Sequence, residues 1–239
     1  MFSIGIAGIP GVGKSTLAEK LGQLLNAKVF YEPAGRADKE FNPYLQPFLN
    51  DMEKYSFGMQ VWMLKVRTRM MIEANRHLLG ADAPTPVVLD SLLAGDLKFA
   101  KTLVQMGRMT ELDYRNYLGI RDLIMSMVRT NPNFVLYLNC PVEKALEYIG
   151  KRGRPGEDTY ERQYFTALSA NMQMIKSELE HQGSIVIDLD ATSYISVEEA
   201  IERLYAYPRF AMYMNQTKTA VEIASTLKEI RLALDGQFA

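Results

Sequence analysis

Residues 8–15, Gly-Ile-Pro-Gly-Val-Gly-Lys-Ser, have the types and spacing of a loop that binds phosphate groups. They match the pattern G-x-x-x-x-G-K-[ST] in full, after a short apolar run and before a helical pattern. Glycines allow backbone N–H groups to curl around phosphate oxygens, and the following helix N-terminus adds its dipole. We expect Lys14 to contact the β- and γ-phosphates and Ser15 to hold Mg²⁺. The pattern predicts an ATP site formed by Gly8, Gly11, Val12, Gly13, Lys14, Ser15 and Thr16.

Short apolar runs alternate with helical patterns along the rest of the chain. The runs predict strands at residues 2–7, 28–31, 86–89, 134–138 and 184–189. Helical spacing predicts helices at residues 15–25, 52–79, 98–106, 110–129, 142–149, 160–181 and 197–205. Strands joined through helices favour an α/β fold in three layers, with a five-stranded parallel sheet in the middle. The long helices on either side of strand three exceed what crossovers need, and they predict a helical substrate region.

The composition excludes several classes of protein. The 239 residues include 27 Lys and Arg against 28 Asp and Glu, a net charge of −1, so no overall charge attracts nucleic acid or anionic lipid. The single cysteine, Cys140, cannot form an internal disulfide, which favours a reducing compartment. The first apolar run gives way to glycines, unlike a secretory leader, and no run approaches the roughly 20 residues of a membrane span. We expect a cytoplasmic protein with no membrane association.

The tail of the chain carries a separate pattern. Residues 217–234 have apolar side chains on one helical face, and Gly236 is a suitable stop. The pattern predicts one domain over residues 1–207 and a C-terminal helical extension over residues 208–239. Such a helix either packs on its own domain or contacts another subunit.

Beyond the phosphate loop, the sequence resembles the deoxynucleoside kinases, especially their bacterial deoxyadenosine and deoxyguanosine kinase branch, over about residues 2–205. Six segments in order carry the resemblance: residues 31–33 (Tyr-Glu-Pro), 42–45 (Asn-Pro-Tyr-Leu), 55–60 (Tyr-Ser-Phe-Gly-Met-Gln), Asp90, Asp96 with residues 99–101 (Phe-Ala-Lys), and 151–154 (Lys-Arg-Gly-Arg). The resemblance implies a P-loop kinase that phosphorylates a nucleoside hydroxyl, and a homodimer.

The resemblance also implies roles for acceptor-side residues. Glu32 would accept the proton of the sugar 5′-hydroxyl, as a carboxylate at a strand end can do. Gln60, Arg67 and Asp96 would bind the edge of the nucleobase, where an amide can both donate and accept. Glu157 would contact the sugar 3′-hydroxyl.

The remaining implied roles concern the phosphates. Asp90 would hold Mg²⁺ directly or through water, since carboxylates suit this hard cation. Arg152 and Arg154 lie in a basic, Gly-rich stretch, residues 151–158, that is predicted to be a loop. Closing over the triphosphate, they would stabilise charge on the transferring group.

Three positions depart from the family pattern. Ser91 follows Asp90 where the family has an arginine, Tyr148 stands where a further lid arginine is expected, and Leu49 replaces a tyrosine that contacts the 3′-hydroxyl. Losing a phosphate-contacting arginine weakens transition-state stabilisation. A short insertion after Pro33 contains Arg36 and Lys39, and Arg36 is the candidate replacement.

Three functions are compatible with these features. The first is phosphorylation of a free deoxynucleoside. The second is phosphorylation of a hydroxymethylated pyrimidine base within DNA, such as 5-hydroxymethyluracil, because a 3′-oxygen already esterified needs no tyrosine. The third is a non-catalytic nucleotide-binding member of the family, against which the intact phosphate loop argues.

Overall fold

The computed structural model describes residues 2–32, 42–80, 85–128, 131–153, 161–193 and 195–218. Its strands are β1 (Ser3–Ala7), β2 (Lys28–Tyr31), β3 (Val87–Asp90), β4 (Phe134–Asn139) and β5 (Ile185–Asp190). They form one sheet in the order β2-β3-β1-β4-β5, and every pairing is parallel. The predicted α/β fold with a five-stranded parallel sheet is confirmed.

The strand register brings three chemically important positions to one edge. Asp90 at the end of β3 is the partner of Ile6 in β1 and of Tyr31 in β2. The phosphate loop after β1, Glu32 after β2 and Asp90 therefore lie side by side at the carboxyl edge, where open α/β sheets bind ligands.

The helices follow the predicted pattern with small changes. Within the described residues up to Tyr205, the α-helices are α1 (Lys14–Leu24), α2 (Leu45–Asn50), α3 (Met52–Leu79), α4 (Asp96–Gln105), α5 (Glu111–Met127), α6 (Val142–Arg152), α7 (Arg162–His181) and α8 (Val197–Tyr205). No helix among them is long and apolar enough to cross a bilayer. The short α2 was missed, because it begins within the Asn-Pro-Tyr-Leu segment and offers too few apolar positions for a period.

The predicted loop at residues 151–158 is wrong at its beginning. Helix α6 continues to Arg152 and ends at Gly153, whose φ of 63° is the left-handed conformation of a helix stop. Its last turn is polar, and the Lys151 ammonium contacts Glu147 one turn earlier at 2.7 Å. Because apolar spacing ends at Ile149, periodicity alone placed the end of the helix too early.

Side chains cap the long helices of the substrate region at their N-termini, and an ion pair joins two neighbouring helices. The Asp51 side chain accepts the N–H of Lys54 at 3.0 Å and caps α3, and Thr110 caps α5 through Asp113 at the same distance. Helix α4 packs on α7, where the buried Lys98 ammonium pairs with Glu178.

An aromatic cluster covers the opposite, amino edge of the sheet. Its members are Phe2, Phe134, Phe210 and Tyr213. Phe210 and Tyr213 belong to a helical segment, 208–218, that follows α8. The rest of the predicted tail helix lies outside the described residues, so a separate role for residues 208–239 stays a prediction.

Candidate active site

A cavity of about 550 Å³ opens at the carboxyl edge of the sheet. We call its first wall the loop side; it contains Gly8, Gly11, Gly13, Lys14, Ser15, Thr16, Tyr148, Lys151 and Arg152. We call its second wall the helix side; it contains Asn42, Met59, Gln60, Met63, Arg67, Phe99 and Tyr164. Glu32, Asp90 and Ser91 lie between the two walls. A group bound on one side therefore meets a group bound on the other at the strand ends.

The conformation of the phosphate loop depends on glycine. Gly11 and Gly13 have φ angles of 92° and 90°, which side chains strongly disfavour. A Cβ at Gly11 would come within 2.7 Å of the Ala145 carbonyl oxygen, whereas a Cβ at Gly13 would have no heavy atom within 4 Å. Gly13 thus leaves room for a ligand at the beginning of α1. Val12 is buried in the core, and its side chain does not line the cavity.

The Lys14 ammonium lies beneath this loop. It donates to the carbonyl oxygens of Gly8 at 3.0 Å and Ile9 at 2.8 Å. Burial lowers the pKa of Lys14, and the carboxylates of Asp90 and Glu32 act in the opposite direction. A phosphate group would supply the negative charge that this partly desolvated cation needs.

Glu32 is held from two other elements. Its Oε2 atom accepts from Arg67 Nε at 3.1 Å, from Arg67 Nη2 at 2.8 Å and from the Ser91 hydroxyl at 3.0 Å. Its backbone N–H donates to the carbonyl oxygen of Asp90. Burial alone would raise the pKa of Glu32, but the charge and hydrogen bonds of Arg67, with Ser91 and Lys14, hold that pKa below its usual value. The carboxylate is therefore ionised near neutral pH and able to accept a proton.

Arg67 joins Glu32 to a second carboxylate. Its Nη1 atom forms an ion pair with Asp96, whose side chain is fully buried and does not line the cavity. Its guanidinium lies over the ring of Phe99, 5.6 Å from the centroid. Of the predicted trio, Gln60 and Arg67 both line the cavity, whereas Asp96 pairs with Arg67 from outside the lining.

Gln60 lies two turns before Arg67 on the cavity face of α3. It is 3% exposed, and its amide has no hydrogen-bond partner within the part of the chain that the structure describes. Met59 and Met63 flank it, and the Asn42 amide contacts both sulfur atoms, at 3.5 and 3.7 Å. A buried free amide between apolar side chains suits a flat, polar-edged ligand such as a nucleobase.

The residues predicted to hold Mg²⁺ offer suitable oxygen atoms. The Ser15 hydroxyl and the Asp90 carboxylate both line the cavity beside Lys14. Among the described residues no group of three or more His, Cys, Asp and Glu side chains forms a metal cluster. A hydroxyl with one carboxylate fits a cation that keeps several waters and takes further oxygens from phosphates.

Comparison with known proteins decides the family. A family model described as deoxynucleoside kinase matches residues 4–208, and these include both sides of the cavity. This chain belongs to the deoxynucleoside kinase family. It is therefore a phosphotransferase that acts on a nucleoside hydroxyl.

Relatives and solved structures agree with this membership. The chain is 31% identical over 182 residues to a deoxyguanosine kinase from Dictyostelium discoideum, covering 76% of this chain and 61% of that protein. It is 27% identical over 217 residues to a deoxyadenosine/deoxycytidine kinase from Bacillus subtilis, covering 90% and 95%. Deoxyadenosine kinase from M. mycoides with bound dCTP has a TM-score of 0.73 at 23% identity, covering 86% and 100%, and shows the shared fold.

The three departures from the deoxynucleoside kinase pattern have different surroundings. Ser91 lies in the cavity and donates to Glu32. Tyr148 lines the loop side, and its hydroxyl donates to the Thr192 carbonyl oxygen at 2.8 Å. Leu49 is buried in the core and does not line the cavity, so its side chain makes no contact there.

Some site residues lie outside this description, and others were missed. Arg154, Glu157, Arg36 and Lys39 lie outside the described residues, so their roles stay predictions. Asn42 and Phe99 stood within quoted family segments but received no role. Tyr164 on α7 lines the cavity with its ring 6.4 Å from that of Phe48. No local pattern distinguishes it from a core aromatic.

Proposed function

We propose that this kinase transfers the γ-phosphoryl group of ATP to the sugar 5′-hydroxyl of a free deoxynucleoside. One observation carries the proposal: a complete phosphate loop after β1 and an ionised carboxylate, Glu32, after β2 face the same cavity from strand ends on either side of β3. Family membership supports the class of acceptor. Solved structures of the same fold, deoxyadenosine kinase from M. mycoides with bound dCTP and with bound dATP, support a nucleotide-binding cavity.

The chemistry follows from the two sides of the cavity. Backbone N–H groups at Gly11 and Gly13 and the Lys14 ammonium bind the phosphates, with Lys14 exchanging its loop carbonyls for phosphate oxygens. Ser15 and Asp90 would hold Mg²⁺, which would neutralise part of the negative charge of the triphosphate.

The transfer step needs one proton acceptor. Glu32 takes the proton of the acceptor hydroxyl while the oxygen of that hydroxyl bonds to the γ-phosphorus. The bond from that phosphorus to the β–γ bridging oxygen breaks and leaves ADP. Arg152 lines the loop side and would stabilise charge on the transferring group.

Base recognition is assigned to the helix side. Gln60 offers a donor and an acceptor to the base edge, and Phe99 with Met59 and Met63 offers apolar contact. Because Gln60 is buried, a bound base that leaves its amide without hydrogen bonds is unfavourable. A base whose edge forms hydrogen bonds with the amide therefore binds more tightly than one whose edge does not.

The DNA-acceptor hypothesis receives no support from this geometry. Leu49, whose lost tyrosine contact suggested that hypothesis, contributes no group to the cavity lining, and the family and relatives of this chain are deoxynucleoside kinases. The non-catalytic hypothesis has no observation in its favour, since Lys14, Glu32 and Asp90 all line one cavity.

A homodimer through α5 accompanies this proposal. Four apolar side chains on this helix are exposed: Leu112, Ile120, Leu123 and Met127. They lie on one helical face, and a second copy would cover them. Light scattering after size exclusion should show a dimer that Leu123→Lys reduces to monomer, while Leu24→Lys on α1 leaves it intact. A wild-type monomer at micromolar concentration would contradict this assembly.

A cytoplasmic location is part of the same proposal, because ATP is abundant there and the lone thiol Cys140 needs no disulfide partner.

The function is tested by incubating the full chain with γ-labelled ATP, Mg²⁺ and a panel of acceptors. The panel should contain the four deoxynucleosides, their monophosphates, and DNA duplexes with and without 5-hydroxymethyluracil. We expect label on at least one free deoxynucleoside, lost in Lys14→Ala. Label on modified DNA alone, or on no acceptor, would overturn the proposal.

A further inference from the structure

We infer that Arg67 positions Glu32 for catalysis, and that Arg67 and Ser91 together leave one oxygen of Glu32, Oε1, to take the proton of the acceptor hydroxyl. The inference rests on the proposed function. It gives Arg67 the task of positioning the proton acceptor Glu32, whereas the family resemblance implies that Arg67 binds the nucleobase.

The hydrogen bonds to Glu32 are unequally divided between its two oxygens. Described side chains donate three hydrogen bonds to Glu32, and Oε2 accepts all three. Two come from Arg67, at 3.1 and 2.8 Å, and one comes from Ser91, at 3.0 Å. Within the described residues no side chain donates to Oε1. The Glu32 side chain is 17% exposed and lines the cavity. A carboxylate fixed through one oxygen presents the other in a constant direction, which a proton acceptor requires.

Arg67 is itself fixed on every side. Its Nε and Nη2 atoms face Glu32, its Nη1 atom faces Asp96, and its guanidinium plane lies over Phe99. The planar fork of arginine suits this bridging of two carboxylates. To bind a base edge directly, Arg67 would have to break an ion pair at a site where it is 4% exposed, and breaking buried ion pairs is costly.

Gln60 provides the contrast on the same face of the same helix. Both residues line the cavity, but the Gln60 amide has no partner among the described residues, whereas each Arg67 nitrogen faces a carboxylate. The free amide is available for a base, and the occupied guanidinium is not. Helix α3 therefore separates the two tasks, with base recognition at Gln60 and positioning of the proton acceptor at Arg67.

The experiment is a pair of double-mutant cycles on the full-length enzyme. Arg67→Lys and Ser91→Ala are each made alone and in a Glu32→Gln background. The measurements are kcat, the KM values of ATP and of the acceptor, and relative kcat/KM for different deoxynucleosides. Arg69→Gln is the matched control, because Arg69 lies on the outer side of α3 and pairs with Glu73 at 3.2 Å, well exposed.

In the wild-type background we expect Arg67→Lys to lower kcat about 10- to 100-fold, because Glu32 loses its bidentate partner. The acceptor KM and the order of preferred bases should stay within about threefold of wild type. In the Glu32→Gln background the same change should cost less than about twofold, because residues that act through one another are not additive. Ser91→Ala should show the same pattern with a smaller loss, and Arg69→Gln should change nothing.

Two results would overturn the inference while the proposed function stands. One is an equal loss in both backgrounds; the other is an altered base preference with kcat retained, which is expected of a base-binding arginine. If a thermal melt shows that Arg67→Lys does not fold, the Ser91→Ala cycle decides, because Ser91 donates to the same Oε2 atom as Arg67. An equal loss for Ser91→Ala in both backgrounds would contradict positioning of Glu32 through Oε2. A wild type that phosphorylates no deoxynucleoside overturns the proposed function, and the inference with it.

Discussion

The two sides of the cavity are built in opposite ways. On the loop side, the phosphate loop consists of consecutive residues, 8–15: its glycines adopt φ angles that other residues disfavour, and Lys14 donates to two carbonyl oxygens of the same loop. The centre and helix side depend on Glu32, Arg67 and Ser91, which come from β2, α3 and the segment after β3. A local motif therefore determines where ATP binds, and long-range packing determines how the acceptor is activated.

The largest expected effect comes from Lys14→Ala, which removes the one cation of the phosphate loop. We expect kcat/KM to fall by about a thousandfold or more, since phosphoryl transfer depends on such charges. The melting temperature should stay close to wild type, because burial of this ammonium is unfavourable, as its lowered pKa indicates. The measurements are steady-state kinetics and a thermal melt.

Lys20→Ala is the control for this change, since Lys20 is an exposed residue of the same helix. If Lys14→Ala keeps wild-type turnover, the loop side does not bind the transferred phosphate.

Glu32→Gln should have the next largest effect and should be confined to the transfer step. Removing the proton acceptor is expected to lower kcat about 10²- to 10⁴-fold. Affinity for a non-hydrolysable ATP analogue, measured by calorimetry, should be nearly unchanged because the carboxylate faces the acceptor. Loss of analogue binding together with normal residual turnover would show that Glu32 serves ATP binding and not activation of the acceptor.

Gln60→Ala tests the helix side alone. Losing hydrogen bonds to a buried base edge, about 1–3 kcal/mol, should raise the acceptor KM roughly 5- to 150-fold. The KM of ATP and the slow hydrolysis of ATP without acceptor should not change. An unaltered acceptor KM would mean that α3 does not contact the base.

Tyr148→Phe is the smallest change and refines the loop side. It removes the hydroxyl that contacts the Thr192 carbonyl at 2.8 Å but keeps the ring in the cavity wall. A partly exposed neutral hydrogen bond is worth about 0.5–1.5 kcal/mol, so the KM of ATP should change less than about tenfold. The acceptor KM should be unaffected, and a selective change in it would show that Tyr148 serves the other side.

The sequence predicted features that depend on local order. The phosphate loop, the five strands and the position of Glu32 at a strand end follow from patterns within a few residues or from the rule that parallel strands end at one edge. The end of α6 was placed too early because its last turn, with Lys151 and Arg152, is polar and held by an ion pair with Glu147.

The partners of Arg67 could not be predicted in the same way. Helical spacing places Arg67 and Gln60 on one face of α3, but it says nothing about which distant side chain each one meets. The contact of Arg67 with Glu32 depends on the packing of α3 against the end of β2. The hydrogen bond from Ser91 to Glu32 depends on β3 lying next to β2. Leu49 was noted because it replaces a family tyrosine, and the sequence did not show that its side chain is buried in the core.

The aromatic cluster at the amino edge of the sheet has a consequence for protein synthesis. Phe2 comes directly before β1, yet its ring packs against Phe210 at 5.4 Å and stacks on Tyr213 at 5.7 Å. The ribosome therefore makes the phosphate loop about 200 residues before it makes the segment that covers the loop's strand. A nascent chain arrested before residue 208 should leave Phe2 and Phe134 open to solvent and to chaperones, and extension past Tyr213 should bury them together. Limited proteolysis of arrested chains would then show protection arising late and in one step.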